Sequence, residues 1–141
     1  MKTMKKTYAS KDIAVSYDAR LCIHAARCVH AAPEAFDQNA RPWIQPEQAS
    51  ADKLARVIAE CPTGALRYER LDGGPAEEAP ASVMLTLEKD GPIYVRGPMP
   101  LFDSAGNRYE DAGTRYALCR CGGSANKPFC DGTHSTMGFE G

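Results

Sequence analysis

The chain is 141 residues long, 43% apolar and 25% charged, with a formal net charge of −1 at neutral pH. This length suits one large or two small domains, and the near balance of charge leaves no basic stripe for nucleic acid. No run approaches bilayer-spanning length, and the basic start Met1-Lys-Thr-Met-Lys-Lys-Thr7 lacks the apolar stretch of a signal peptide, so a cytoplasmic location with reduced thiols is expected.

In chain order, Ile13-Ala-Val-Ser-Tyr17 alternates as a strand, and Asp18 and Ala19 turn it. Cys22-Ile-His-Ala-Ala-Arg-Cys28 opens a loop and a short helix, and Trp43 with Ile44 reads as a brief strand. Ser50 caps a helix that carries Leu54, Val57, Ile58 and Cys61 on one face, so Cys61 should arrive on the buried side. Leu66-Arg-Tyr68 returns as a strand. Residues 71–82 hold two prolines, two glycines and no packing residue after Leu71, which reads as a linker between a domain at 1–70 and another at 83–141. Beyond it, 83–88, 93–96 and 116–118 read as strands, turned at Asp90-Gly91-Pro92 and Gly97-Pro98. Only Cys130 to about Gly138 remains for a helical turn. The two parts carry net charges of +3 (1–70) and −4 (71–141), a difference small enough to be solvated surface.

The strongest signal lies near the C-terminal end. Cys119-Arg-Cys-Gly-Gly-Ser-Ala-Asn-Lys-Pro-Phe-Cys-Asp-Gly-Thr-His134 puts three thiols and one imidazole inside sixteen residues. Cys119 and Cys121 are too close in sequence to bridge comfortably, and Gly122, Gly123 and Pro128 turn the loop back on itself, so the residues read as a metal site. A Cys3His set also suits tetrahedral zinc, although zinc sites more often pair ligands as C-x2-C than as C-x-C.

These residues resemble the CDGSH iron–sulfur proteins, whose pattern is C-x-C-x2-S/T-x3-P-x-C-D-G-S/A/T-H. Cys119, Cys121, Ser124, Pro128, Cys130, Asp131, Gly132, Thr133 and His134 all fall in register with it. The resemblance implies a 2Fe-2S cluster held by Cys119, Cys121, Cys130 and His134. Two ferric ions, two sulfides and three thiolates sum to about −1, one negative charge fewer than an all-cysteine set, so a raised potential is expected. The second imidazole nitrogen can take a proton on reduction, and protonation of the ligating nitrogen would release the iron, which makes this a labile centre at low pH. Asp131 is expected to close an Asx turn or cap a helix, and the Ser124 and Thr133 hydroxyls to hydrogen-bond sulfur. Relatives with one such motif commonly exchange strands as homodimers; here the first half could instead cover the same surface.

Cys22, Cys28 and Cys61 form a second set. Bacterial ferredoxins use C-x2-C-x2-C with a remote Cys-Pro; here the outer pair is Cys22 and Cys28, the middle position is Ala25, and Cys61 precedes Pro62. With Ala32-Pro-Glu-Ala-Phe-Asp37 and Cys61-Pro-Thr-Gly-Ala-Leu66, the region resembles divergent single-cluster bacterial ferredoxins. The resemblance implies a 3Fe-4S cluster on three thiolates, or a 4Fe-4S cluster with His24 as fourth ligand. Three buried structural thiols are the plain alternative, and His24 could also tune a cluster without ligating it.

The expected fold is α+β: a small ferredoxin-like domain followed by a small β-rich CDGSH domain. The expected function is a two-cluster electron carrier serving redox partner proteins, with no enzymatic turnover, since the sequence shows no nucleophile–base pair and no phosphate loop. The alternative is a redox or pH sensor, or a donor that hands its His-ligated cluster to an acceptor protein.

Overall fold

A computed structural model describes residues 5–110 and 112–141; the first four residues of the basic start and Asp111 lie outside the described residues. Among the described residues the chain forms two three-stranded antiparallel sheets and two short α-helices, and it divides into two compact units. The first unit comprises residues up to Ala19, His24–Cys61 and Ala65–Glu77, and the second comprises Arg20–Ile23, Pro62–Gly64 and Glu78–Gly141.

In the first unit, β1 (Lys5–Ala9), β2 (Ile13–Asp18) and β3 (Leu66–Arg70) are ordered β1-β2-β3, with Tyr8 opposite Val15 and Val15 opposite Tyr68. β2 lies centrally because Ile13 and Val15 alternate inward and are fully buried. β1 is a mostly polar edge strand with no alternation of its own, which is why the sequence reading missed it. Helix α1 (Arg27–Ala31) is five residues long, and α2 (Ala51–Ala59) is the main helix of the unit. The Ser50 side chain accepts the Lys53 amide at 3.1 Å, as its sequence position predicted. Leu54, Val57 and Ile58 of α2 join Ile13, Val15, Phe36, Ile44 and Leu66 in one core, with Cys28 and Cys61 packed against it. The brief strand expected at Trp43 and Ile44 is a single bridge, Phe36 to Ile44.

In the second unit, β4 (Met84–Leu87), β5 (Ile93–Arg96) and β6 (Arg115–Leu118) are ordered β4-β5-β6. Val95, Tyr116, Ala117 and Phe129 form the buried interior. Phe129 meets Tyr116 and Tyr109 edge-on, with centroids 6.2 and 5.9 Å away. The Tyr116 hydroxyl donates to the Met99 carbonyl at 2.9 Å, and burial pushes its phenol up. Between β5 and β6 the chain makes a small hairpin unseen in the sequence, where Phe102 bridges Arg108 and the Asp103 carboxylate accepts the Ala105 and Asn107 amides. No helix among the described residues is long and apolar enough to cross a membrane.

Candidate metal centre

The loop from Cys119 to Cys130 is a continuation of β6 folded back on itself. The Cys119 amide donates to the Pro128 carbonyl at 2.8 Å, the Cys130 amide donates to the Ala117 carbonyl at 2.9 Å, and Leu118 bridges Phe129. Residues eleven apart in sequence are thereby held as cross-strand neighbours, and the aromatic packing of Phe129 anchors the returning limb. Gly122 turns the loop at φ +81, in the left-handed region that glycine reaches without steric cost.

The four sequence-predicted ligands form two close pairs. Cys119 Sγ lies 3.8 Å from Cys121 Sγ, and Cys130 Sγ lies 3.4 Å from Nδ1 of His134. Backbone amides point at the sulfurs: Gly123 donates to Cys121 Sγ at 3.3 Å and Gly132 to Cys130 Sγ at 3.4 Å. Burial acts to raise the Cys119 thiol, but the Ser124 and Gly122 amides and the Cys121 side chain outweigh it and hold the thiol below its usual range. Burial pushes the Cys130 thiol up; the Gly132 amide opposes this, while the charges of Cys119, Asp131 and Cys121 add to it. Crowded thiols of this kind release their protons to solvent when a metal binds. Among the described residues no three His, Cys, Asp or Glu side chains converge on a single metal position.

Asp131 knits the loop. Its carboxylate accepts the Ala125 amide at 2.9 Å, the Thr133 amide at 3.0 Å and the Thr133 hydroxyl at 2.6 Å. Burial acts to raise this carboxyl, and these three donors together hold it below the usual carboxylate range. The Asx turn expected of Asp131 is present, followed by a single 3-10 turn at Thr133–Ser135. The expectation for the two hydroxyls is corrected. Ser124 Oγ donates to the Phe129 carbonyl at 2.5 Å and accepts the Asn126 amide, while Thr133 donates to Asp131. Both serve the loop because a carbonyl or carboxylate oxygen accepts more strongly than a sulfur.

Cys22 lies half-buried in the loop after β2, Cys28 sits within α1, and Cys61 comes just past the Glu60 cap of α2, half-buried, with its amide donating to the Ile58 carbonyl at 3.0 Å. His24 is exposed at φ +59, and Ala26 stands at φ +61. Two non-glycine residues in left-handed backbone therefore flank Ala25, the position where a complete ferredoxin triplet has its middle cysteine. Within the second unit, the Asn126 side chain donates to the Arg20 carbonyl at 3.4 Å, and a Cβ on Gly132 would stand 3.7 Å from Ile23 Cα. Arg20 and Ile23 bracket the segment that carries Cys22.

The family described as "Divergent 4Fe-4S mono-cluster" matches residues 8–71, and the family described as "Iron-binding zinc finger CDGSH type" matches residues 90–135. The protein YjdI of Escherichia coli K12 is 32% identical to this chain over 63 residues, which cover 45% of this chain and 83% of YjdI; YjdI of the O157:H7 strain matches to the same extent. The chain therefore belongs with YjdI and is an iron–sulfur protein, its first part matching the divergent 4Fe-4S mono-cluster family and its second part the CDGSH type.

Proposed function

We propose that the protein is an electron carrier with two unlike iron–sulfur centres. The observation that carries this reading is the pairing of ligands in the CDGSH loop. Two thiolates on one tetrahedral iron stand about 3.8 Å apart, and a thiolate and an imidazole about 3.6 Å apart, from metal–ligand lengths near 2.3 and 2.1 Å. The Cys119–Cys121 and Cys130–His134 separations match one pair per iron. A single zinc would need all four donors at such distances from one another. Cys119 and Cys121 would hold one iron of a 2Fe-2S cluster, and Cys130 with Nδ1 of His134 the other. When bound, the cluster supplies one-electron storage. The Gly123 and Gly132 amides stabilise thiolate charge, and Nε2 of His134 stays available to carry a proton.

Cys22, Cys28 and Cys61 would hold the second centre, within a reduced ferredoxin-like α+β domain. The left-handed backbone at His24 and Ala26 supports a loop shaped around a ligand. A 3Fe-4S cluster satisfies three thiolates. The matching family's description favours 4Fe-4S, in which His24 would supply the fourth ligand. Two ligand sets of unlike type within one short chain support a relay of electrons between the centres. Iron and sulfide counts on single variants test the assignment. Cys119→Ser should lose about two irons per chain and Cys22→Ser about three or four, each leaving the other centre intact. Equal loss in both variants, or none, contradicts two separate centres.

A second reading, a sensor or cluster donor, is favoured by the imidazole, the ligand most readily lost on protonation. His134→Cys separates the two readings. A carrier keeps transferring electrons at a lower potential, whereas a donor stops loading an apo-acceptor protein.

We further propose that the functional state is cytoplasmic, without substrate turnover, and that redox proteins are its partners. A homodimer is the assembly we favour, because β4 is an open edge strand whose Met84, Leu85 and Leu87 are 60%, 55% and 62% exposed.

A further inference from the structure

Arg120 is the single residue between Cys119 and Cys121. The two thiols stand 3.8 Å apart, and the Arg120 side chain between them reaches away to the turn at Glu88–Gly91 and to Phe139. There its Nε donates to the Gly91 carbonyl at 2.8 Å and its Nη2 to the Glu88 carbonyl at 2.7 Å, while the guanidinium lies 5.1 Å from the centroid of the Phe139 ring. Every one of these partners is neutral. The neighbouring carboxylates keep their own neutral donors, Glu88 the Tyr94 hydroxyl at 2.7 Å and Asp90 the Gly141 amide at 2.9 Å. Among the described residues no carboxylate forms an ion pair with Arg120.

An arginine that only fastened the loop would gain more from a carboxylate than from carbonyls. Here the side chain is fixed at three points and its permanent charge is taken up by no ion pair among the described residues. Reduction adds one negative charge to an anionic centre, and a fixed cation nearby favours the more negative state. We propose that Arg120 raises the reduction potential of the CDGSH centre by holding a fixed positive charge behind the Cys119–Cys121 pair. This rests on Cys119, Cys121, Cys130 and His134 being the ligands of a 2Fe-2S cluster.

The test is a potentiometric titration of the full chain with dithionite as electron donor, one electron converting one ferric ion to ferrous, read from the EPR signal of the His-ligated centre. Arg120→Gln is expected to lower the reduction equilibrium constant about tenfold, or about 59 mV for one electron, at unchanged iron and sulfide content. Arg120→Lys keeps the charge and is expected to stay close to wild type. Phe139→Glu, which sets an acid against the guanidinium without touching the ligand loop, is expected to lower the potential in the same direction, with Phe139→Leu as its unshifted control. This pair decides the matter if Arg120→Gln fails to hold its cluster. The proposal is overturned by a wild-type potential in Arg120→Gln or in Phe139→Glu, or by Arg120→Lys falling as far as Arg120→Gln. A wild-type chain that binds no 2Fe-2S cluster overturns the ligand assignment as well, whereas a loaded cluster with no shift overturns the role of Arg120 alone.

Discussion

Asp131 shows how much of the loop depends on one carboxylate. One carboxylate accepts from Ala125, which follows the glycine turn, and from Thr133, which precedes His134, so it couples the two limbs that present the ligands. Replacing Asp131 with Ala should destabilise the loop by about 2 kcal/mol, the scale of losing charge-assisted bonds at a partly buried acceptor. The visible absorbance of the loaded protein should then decay faster, with Asp131→Asn intermediate. Equal decay in all three proteins would deny Asp131 this role. The motif spacing made the close pairs Cys119–Cys121 and Cys130–His134 and the Asx turn legible in the sequence, because both depend on local offsets. The destinations of the Ser124 and Thr133 hydroxyls were not legible, since they depend on which carbonyl or carboxylate the folded loop brings close.

At the scale of elements, the helix preceding Cys61 carries the first core. Ile58 is fully buried among Leu54, Phe36 and Leu66, so Ile58→Ala should cost about 2–5 kcal/mol in chemical denaturation. β3 ends in an ion-pair brace. The Arg70 side chain is 8% exposed and donates to Asp72 at 2.8 Å and to Asp52 at 3.0 Å. Hydrogen bonding from Arg70, then from the Gly74 amide, holds the Asp72 carboxyl at about 2. A depressed folded value means that stability is present above the ordinary carboxylate pKa, near 3.9. It is lost as pH falls through about 2. Wild type should therefore be more stable than Asp72→Asn at pH 7 by urea unfolding, with the difference closing between about pH 4 and 2. A difference independent of pH would contradict the brace. The inward alternation of β2 and the cap and apolar face of α2 were readable because each element's own periodicity points to a core. β1 and the hairpin around Asp103 were not. An exposed edge strand takes its structure from the neighbour it pairs with, and the hairpin from a side chain that accepts amides across its own turn.

At the scale of the whole molecule, two cysteine groups lie on either side of a Gly- and Pro-containing stretch, and the family matches cover 8–71 and 90–135. What the sequence hid is that Arg20–Ile23 and Pro62–Gly64 belong with the second unit, because the packing of such short segments leaves no periodic trace. If the open edge of β4 pairs two chains, light scattering should give a dimer and Leu85→Lys a monomer; a monomeric wild type would contradict the pairing. The central claim, two unlike clusters in one chain, is tested most directly by EPR of anaerobically purified protein, as isolated and after dithionite, with iron and sulfide counted on the same sample. The account predicts a rhombic signal from the His-ligated centre on reduction. A second signal should accompany it, near g of about 2 before reduction for 3Fe-4S or appearing only after reduction for 4Fe-4S, with about five or six irons per chain. A single signal with about two irons per chain would contradict it and leave Cys22, Cys28 and Cys61 as structural thiols.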